Sequence, residues 1–427
     1  MSEVSLILTG GFALLLVLGV PFAVALGLCT LTALLVADID LMVLPQMMLG
    51  GTQSFSLLAI PFFMLAGEIM TRGGLSQRII NVADVLVRHL RGGLGHVTIL
   101  AAAIFAAISG SAPATTAAVG SILIPAMVER GFSKPFATAL AVSAGVLGPI
   151  IPPSIAAVIW AVIAETSIAQ LFVAGVVPGL LMIAGFMVIT WWYAKRHDIP
   201  AQPRASWREI ADAFRQGIWA LLAPLLVLGG IYTGVFTPTE AGVVSCFYAI
   251  VVGVFVERRI RLGDLGGIII SAAQTSGMIM FIIAASSGFG WLIAQERLAV
   301  RAAEFLVTGI SEPWMVLIVL NVAIVIACAV MDEIAIMVIL GPMFIAIAQR
   351  IGMDPIQFGT IIVTNVAMGM AIPPIGYCLF VGMAISRLSL GAISRAIWPL
   401  LVVMFIVLGL VSFVPAISLA LPTLLYR

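Results

Sequence analysis

Apolar residues along this chain run together rather than alternating with polar ones. Apolar stretches cover about 5–37, 41–70, 94–128, 136–190, 216–236, 240–256, 266–294, 313–349, 357–383 and 391–423, with short polar interruptions between them. A membrane-crossing helix needs about twenty apolar residues, so the longer stretches each hold more than one element. Together they predict about ten to twelve crossings and some partial ones. Barrel strands would show alternation over about ten residues. Its absence, and the need of a backbone in lipid to satisfy its own hydrogen bonds, predict helices throughout.

The polar interruptions give orientation. The most polar, KRHDIPAQPRASWREIADAFRQG at 195–217, divides the chain into halves and predicts a short surface amphipathic helix. A second basic cluster, ERRIR at 257–261, follows two spans later, so both belong on one face, and the excess of arginine makes it cytoplasmic. The turn FTPTEAG at 236–242 then faces the other side. There Thr237 or Thr239 caps the next helix, with Glu240 in its first turn. Two amphipathic pieces, TRGGLSQRIINVADVLVRHLRGG at 71–93 and AQERLAVRAAEFLV at 294–307, are either interfacial helices or plain linkers.

Composition agrees. Of 427 residues 62% are hydrophobic and 9% charged, with a mean hydropathy of +1.23. Soluble domains carry about 25% charged residues, so a soluble fold is excluded. Twenty basic and 19 acidic residues leave a net charge of +1, with no basic tract for nucleic acid. Cys29, Cys246, Cys328 and Cys378 fit neither a disulfide framework nor a metal set, and His89, His96 and His197 share no metal spacing. The start, MSEVSLILTG, has no basic residue before its apolar run and reads as a first span rather than a signal peptide. No GxxxxGK[ST] motif is present, so transport by this chain draws on an ion gradient rather than ATP.

The halves repeat at an offset of 221 residues. GFSKPFATALAVSAGVLGPIIPPS from Gly131 aligns without a gap with GMDPIQFGTIIVTNVAMGMAIPPI from Gly352. Gly148 meets Gly369, Ser143 meets Thr364, Ile151 meets Ile372, and Pro152–Pro153 meets Pro373–Pro374. Each block follows a proline near the end of an apolar run (Pro125, Pro342) and, earlier, a polar break: ISGSAPATT at 108–116 or MDE at 331–333. Each half thus reads as a helical hairpin followed by a helix broken at G-x-x-x-P-P.

A proline lacks its N–H and clashes with the carbonyl four residues back. Two in succession strand several backbone groups, each costing several kcal/mol in lipid. Such breaks persist inside protein or along a wet cavity, where free carbonyls suit Na⁺ and free N–H groups suit an anion. Paired discontinuous segments point to a secondary transporter. Structural kinks without a ligand would also satisfy the pattern, and an ion or anion channel is the alternative function. Candidate residues are Ser109, Gly110, Ser111, Pro113, Thr115 and Thr116 at the first tip, and Ser143 and Ser154 at the first broken helix. The second half offers Asp332 and Glu333, then Thr364, Asn365 and Gly369. Glu68 and Glu165 are further acidic residues amid apolar sequence.

The pieces PFFMLAGEIM (61–70), SGSAPATTAAVGSILIPAM (109–127), GVLGPIIPPSI (145–155), GGIYTGVFTPTEAG (229–242), GMDPIQFG (352–359) and NVAMGMAIPPIG (365–376), in this order, resemble the large membrane subunit of tripartite ATP-independent periplasmic (TRAP) transporters over essentially the whole chain. The resemblance implies an all-α polytopic membrane protein of the bacterial inner membrane, with two repeats of inverted topology and elevator-type movement. It implies scaffold helices over 1–59, a first repeat over 60–194 (hairpin near 94–128, broken helix near 136–165) and a cytoplasmic connector over 195–215. Central scaffold helices over 216–265 precede a second repeat over 266–390 (hairpin near 313–349, broken helix near 357–383) and a C-terminal helix over 391–427.

It further implies Na⁺-driven symport of an organic acid such as a C4-dicarboxylate or sugar acid. The partners implied are a separate small four-helix membrane subunit, a periplasmic solute-binding protein and membrane lipids. Carried onto this sequence, Na⁺ falls to Ser109, Gly110, Gly148, Pro149, Asp332, Asn365, Gly369 and Ile372, largely through backbone carbonyls. Substrate falls to Ser111, Thr115, Ser154, Thr364 and Asn365. One departure stands out. The family often has threonine before the second proline pair, and here that residue is Ile372.

Overall fold

The computed structural model describes residues 2–301, 304, 310, 312–328, 331–374 and 376–426, and among them every regular element is helical. The first apolar stretch divides at Gly19 and Pro21 into α1 (Glu3–Val17) and α2 (Phe22–Val36), because Gly19 adopts φ 77° and Pro21 has no N–H to continue a helix. α3 (Val43–Thr52), α4 (Ala59–Arg72) and α5 (Leu75–Val87) follow. Next come α6 (Gly93–Ser109), α7 (Ala112–Glu129), α8 (Lys134–Ile150), α9 (Ile155–Ile163) and α10 (Ile168–Arg196). The middle of the chain supplies α11 (Trp207–Tyr232), α12 (Pro238–Val251) and α13 (Leu265–Gln295). The last part supplies α14 (Pro313–Cys328), α15 (Glu333–Arg350), α16 (Pro355–Gly369), α17 (Tyr377–Ser386), α18 (Leu390–Phe413) and α19 (Pro415–Leu425).

Eight helical stretches among the described residues are long and apolar enough to cross a membrane, and α8 with α9, inclined at 42°, makes a ninth if taken as one span. This is a multi-pass membrane protein. The crossings fall short of ten because α1, α2, α6, α14, α17 and α19 are apolar but only 10–17 residues long.

The connector differs from expectation. Residues 197–206 carry no helix, and from Trp207 a single helix continues to Tyr232. Ser206 Oγ accepts the Glu209 N–H (3.2 Å) and the Glu209 carboxylate accepts the Ser206 N–H (2.7 Å). This capping box starts the helix, and nothing between its polar first turns and its apolar body stops it. The opposite turn is capped the same way, by Thr237 with Glu240.

α5 rises about 20 Å, short of a hydrocarbon core of about 30 Å. It buries Leu75, Ile79, Val82 and Ala83 on one side and offers its arginines to the polar loops. Arg78 reaches Glu257 (3.1 Å) and Gln216 (2.8 Å), Arg88 reaches Glu209 (2.9 Å), and Arg91 reaches Asp198 (3.0 Å). Both basic loops therefore sit on one face, beside α5. The second amphipathic piece begins beyond α13 with a helical turn at 298–301; its residues 302, 303 and 305–307 lie outside the described residues.

At the centre, α16 is buried from Ile356 through Gly369, as befits a helix apolar all round. The first break packs on it from one side, α14 and α18 from others.

Candidate functional site

α6 ends as Gly110 turns left-handed (φ 60°), its N–H still bonded to the Ala106 carbonyl. Ser111 is extended and Ala112–Pro113 opens α7, so the chain reverses within two residues. Proline at this second helical position removes an N–H that had no helical partner. The Thr115 hydroxyl donates to the Ser111 carbonyl (2.8 Å) and lies 2.9 Å from the Ser109 hydroxyl.

This tip rests on the first break. A Cβ on Gly110 would lie 2.6 Å from the Pro153 carbonyl oxygen; one on Gly148 would lie 2.5 Å from the Ser111 carbonyl carbon. Only glycine permits either contact. The break itself is Ile151 in extended conformation, the cis peptide Pro152–Pro153, and Ser154. Ser154 Oγ accepts the Ala157 N–H (3.0 Å) and donates to the Pro149 carbonyl, so one hydroxyl serves both half-helices. Gly175 of α10 closes the break from behind, its Cβ position 2.3 Å from the Ile150 carbonyl oxygen.

In the second half, Ala329 and Val330 lie outside the described residues. Asp332 caps α15, its Oδ1 accepting the N–H groups of Ile334 and Ala335 at 2.9 Å each. Glu333 follows, with Oε2 buried and without a hydrogen-bond partner. The break runs from Met370 through the cis peptide Pro373–Pro374 to Gly376. The Ile372 carbonyl accepts the Gly376 N–H (3.1 Å) and the Met370 carbonyl accepts the Cys378 N–H (2.9 Å). A Cβ on Gly369 would lie 2.3 Å from Cys328 Sγ. Gly148 and Gly369, aligned at the offset of 221, each seat a hairpin, the first through the start of its second arm and the second through the end of its first.

Both tips open on one cleft of about 170 Å³. Gly110, Ser111 and Pro113 line it from the first tip, Asp332 and Glu333 from the second, Tyr377 from α17, and Thr275 and Met278 from α13. Two carboxylates face it, and among the described residues no lysine, arginine or histidine lines it. A neighbouring space of about 90 Å³ extends past Asp332 to Gly369 and Cys328. A third void, about 10 Å³ and so sized for one water at most, lies behind the first break between Ile150, Ser154, Thr360 and Thr364.

The structure separates the candidate residues. Of those expected to face substrate, Ser111 lines the cleft. Thr115 is buried one turn behind it; Ser154 and Thr364 line the small void; Asn365 is fully buried. Asn365 Nδ2 donates to Asn321 Oδ1 (2.9 Å) and to the Asn321 carbonyl (3.1 Å), and Asn321 Nδ2 donates to Ser412 Oγ (3.0 Å). Gln357 Nε2 bonds the Val411 and Ser412 carbonyls at 3.2 Å each. Asn321, Ser412 and Gln357 escaped the sequence reading, although an amide alone in the apolar run VLNVAI was a signal; so did Tyr377 and Thr275. Ser143 Oγ, Thr364 Oγ1 and Asn365 Oδ1 are buried without partners. Glu68 pairs with Arg72 (2.7 Å), and Glu165 is exposed between α9 and α10, beyond the far end of α9 from the break.

Neutral oxygens dominate these surroundings, a donor set that suits a hard monovalent or alkaline-earth cation better than a transition metal. Among the described residues no three histidine, cysteine, aspartate or glutamate side chains cluster as a metal site. Asn365 Oδ1 and Glu333 Oε2 are acceptors left open in such a setting.

Known proteins resemble the chain over nearly its full length. A family model described as "Tripartite ATP-independent periplasmic transporter, DctM component" matches residues 9–417. The C4-dicarboxylate TRAP transporter large permease protein of Rhodobacter capsulatus is 40% identical over 437 aligned positions, covering 99% of each chain. The 2,3-diketo-L-gulonate TRAP transporter large permease protein of Escherichia coli is 40% identical, covering 96% of this chain and 95% of that one. A crystal structure of the YdaH transporter of Alcanivorax borkumensis superposes with a TM-score of 0.62, covering 88% of both chains at 15% identity, a likeness of fold.

Proposed function

The chain belongs to the DctM family of tripartite ATP-independent periplasmic transporters, and on that premise we propose that this permease subunit imports an organic acid anion on a Na⁺ gradient. It is a transporter rather than an enzyme. The cleft between the tips carries the proposal. Like charges about 4 Å apart repel by about 4 kcal/mol at an effective dielectric of about 20. Any negative charge carried by Asp332 or Glu333 therefore opposes an acid unless cations enter with it, and among the described residues no basic side chain lines the cleft to offset it. Na⁺ would be held at the tip-and-break junctions. Carbonyls of Ser109, Gly110, Gly148 and Pro149 serve the first; Asp332, Asn365, Gly369 and the Ile372 carbonyl serve the second. The acid docks between Ser111 and the second tip. A space of 170 Å³ favours the small end of the class, such as a C4-dicarboxylate.

The same reading makes 60–194 and 266–390 inverted repeats that move together, elevator fashion, against the remaining helices. The gap-free alignment and the paired glycine contacts support it. A periplasmic binding protein delivers the acid, a separate small four-helix subunit completes the membrane part, and the assembly sits in a bacterial inner membrane. Reconstituted with both partners in liposomes, the permease takes up acid when Na⁺ is outside and not when K⁺ replaces it. Equal uptake in K⁺ overturns the coupling. Currents far above carrier turnover would establish a channel instead.

A further inference from the structure

The end of α8 remote from its break borders a groove of about 580 Å³, shared with α10 and α18. Its wall is an aromatic column. Phe136 stacks on Tyr193 with ring centres 3.6 Å apart, and Tyr193 stacks on His197 at 4.0 Å. The Tyr193 hydroxyl donates to Ser133 Oγ (2.8 Å), and His197 Nδ1 lies 3.0 Å from the Tyr193 carbonyl. Among the described lining side chains that leaves His197 Nε2, the Arg196 guanidinium and the Trp192 indole N–H without a hydrogen bond inside the wall.

Arg196 lies over the Trp192 ring (5.5 Å) and Lys195 over Trp191 (5.2 Å), both rings exposed. Stacking on a ring face leaves the guanidinium N–H groups free to bind an anion. Among the described residues none of Arg130, Lys134, Lys195, Arg196 and Arg395 forms an ion pair, while the nearby Asp198 is already paired with Arg91.

We propose that this groove binds an anionic phospholipid of the cytoplasmic leaflet, its phosphate on Arg196 and His197 and its acyl chains along the apolar floor between α10 and α18. The observations converge on a lipid rather than a soluble anion. Arg196 ends a membrane-spanning helix at the basic loop, which places the groove at the cytoplasmic headgroup level. Exposed tryptophans beside it belong to the same level. The floor, Ile189 and Pro399, is apolar and half-buried between α10 and α18. An unpaired positive cluster at this depth attracts anionic headgroups.

The test is native mass spectrometry of the full-length permease, purified from liposomes holding equal phosphatidylglycerol and phosphatidylcholine. Wild type retains phosphatidylglycerol selectively. Arg196→Gln lowers that retention about fivefold, the weight of one basic residue near an anionic surface, and Arg196→Lys restores part of it. Arg208→Gln, an equally exposed change outside the groove, leaves it unchanged. Equal loss in Arg208→Gln shows diffuse charge attraction and overturns the site, as does unselective retention by wild type. Displacement of the lipid by millimolar glycerol phosphate identifies a soluble-anion site and overturns the lipid assignment.

Discussion

Gly110, Gly148 and Gly352 separate two physical effects that a single substitution would mix. Gly352→Ala tests conformation alone: φ is +66° and its Cβ would meet nothing within 4 Å. The left-handed region costs an alanine about 1–2 kcal/mol, and that is the whole expected loss. Gly148→Ala tests contact alone. Its backbone is right-handed, so alanine gains about 1 kcal/mol of helix preference. The new Cβ, however, lies 2.5 Å from the Ser111 carbonyl carbon and 2.8 Å from the Ala112 nitrogen. Backbone meets backbone there, so the tip must withdraw by about 1 Å to reach an ordinary carbon contact. Overpacking of this kind costs about 1–3 kcal/mol, and it falls on the seated tip. Gly110→Ala combines both, with φ +60° and a Cβ 2.6 Å from the Pro153 oxygen. It should lose about 2–5 kcal/mol.

Two measurements on the same proteins distinguish these cases: thermal unfolding in detergent, and acid uptake in liposomes with the partners. Gly352→Ala should melt lower and transport normally. Gly148→Ala should lose no more than about 2 kcal/mol in melting, because helix preference offsets about 1 kcal/mol of the collision, so uptake is the measurement that separates it from Gly352→Ala. Its uptake should fall about 5- to 150-fold, the equivalent of 1–3 kcal/mol placed on one conformational state. Gly110→Ala should fail in both. Wild-type uptake by Gly148→Ala would refute the argument that the tip must seat on the break.

Three further outcomes are expected. Asn365→Ala should raise the Na⁺ concentration needed for half-maximal uptake or abolish uptake, with Asn321→Ala acting in the same direction; an unaltered Na⁺ dependence removes Asn365 from the ion site. Ser154→Ala removes an N-cap worth about 1 kcal/mol and strands the Pro149 carbonyl at about 1–3 kcal/mol, so it should lower the melting temperature clearly, and an unchanged melting curve would count against its double role. The Ser2 and Ser5 hydroxyls, the latter at 2.9 Å, hold the Glu296 carboxyl below the usual range. A carboxyl depressed in the folded state stabilises at pH above its unfolded value, near 4.3, and loses that contribution as pH falls through its folded value. Amide-exchange protection at the start of α1 should therefore hold from neutral pH to about 5 and drop below about 4, a step that Glu296→Gln should lack.

Much of the architecture was legible beforehand because it rests on local chemistry. Charged residues are too scarce to cover a soluble surface, and apolar runs longer than a strand leave helices as the way to satisfy backbone in lipid. The glycine at 110, the proline at 113 and a threonine cap in the 236–242 turn act within one turn of themselves, whereas the capping role of Ser154 came only with the structure. The connector misled for a similar reason: its polar letters suggested a separate surface helix, but helix continuity depends on the absence of a breaker, not on polarity. The candidate site was legible in outline and not in detail. A hydroxyl such as Thr364 or Ser154 looks equally available in a string of letters whether it faces a cleft or a void one water wide.

The sequence alone therefore settled the solvent, the helical class and the places where helices must break, since composition and the missing proline N–H act without reference to distant residues. Which tip rests on which break was decided by the tertiary structure. So were the meeting of Asn321 with Asn365, the gathering of two carboxylates in a cleft that no described basic side chain lines, and the groove at Arg196. Each depends on closing distances between segments far apart in the chain. Only the packed helices determine which polar atoms still lack a partner after that closure.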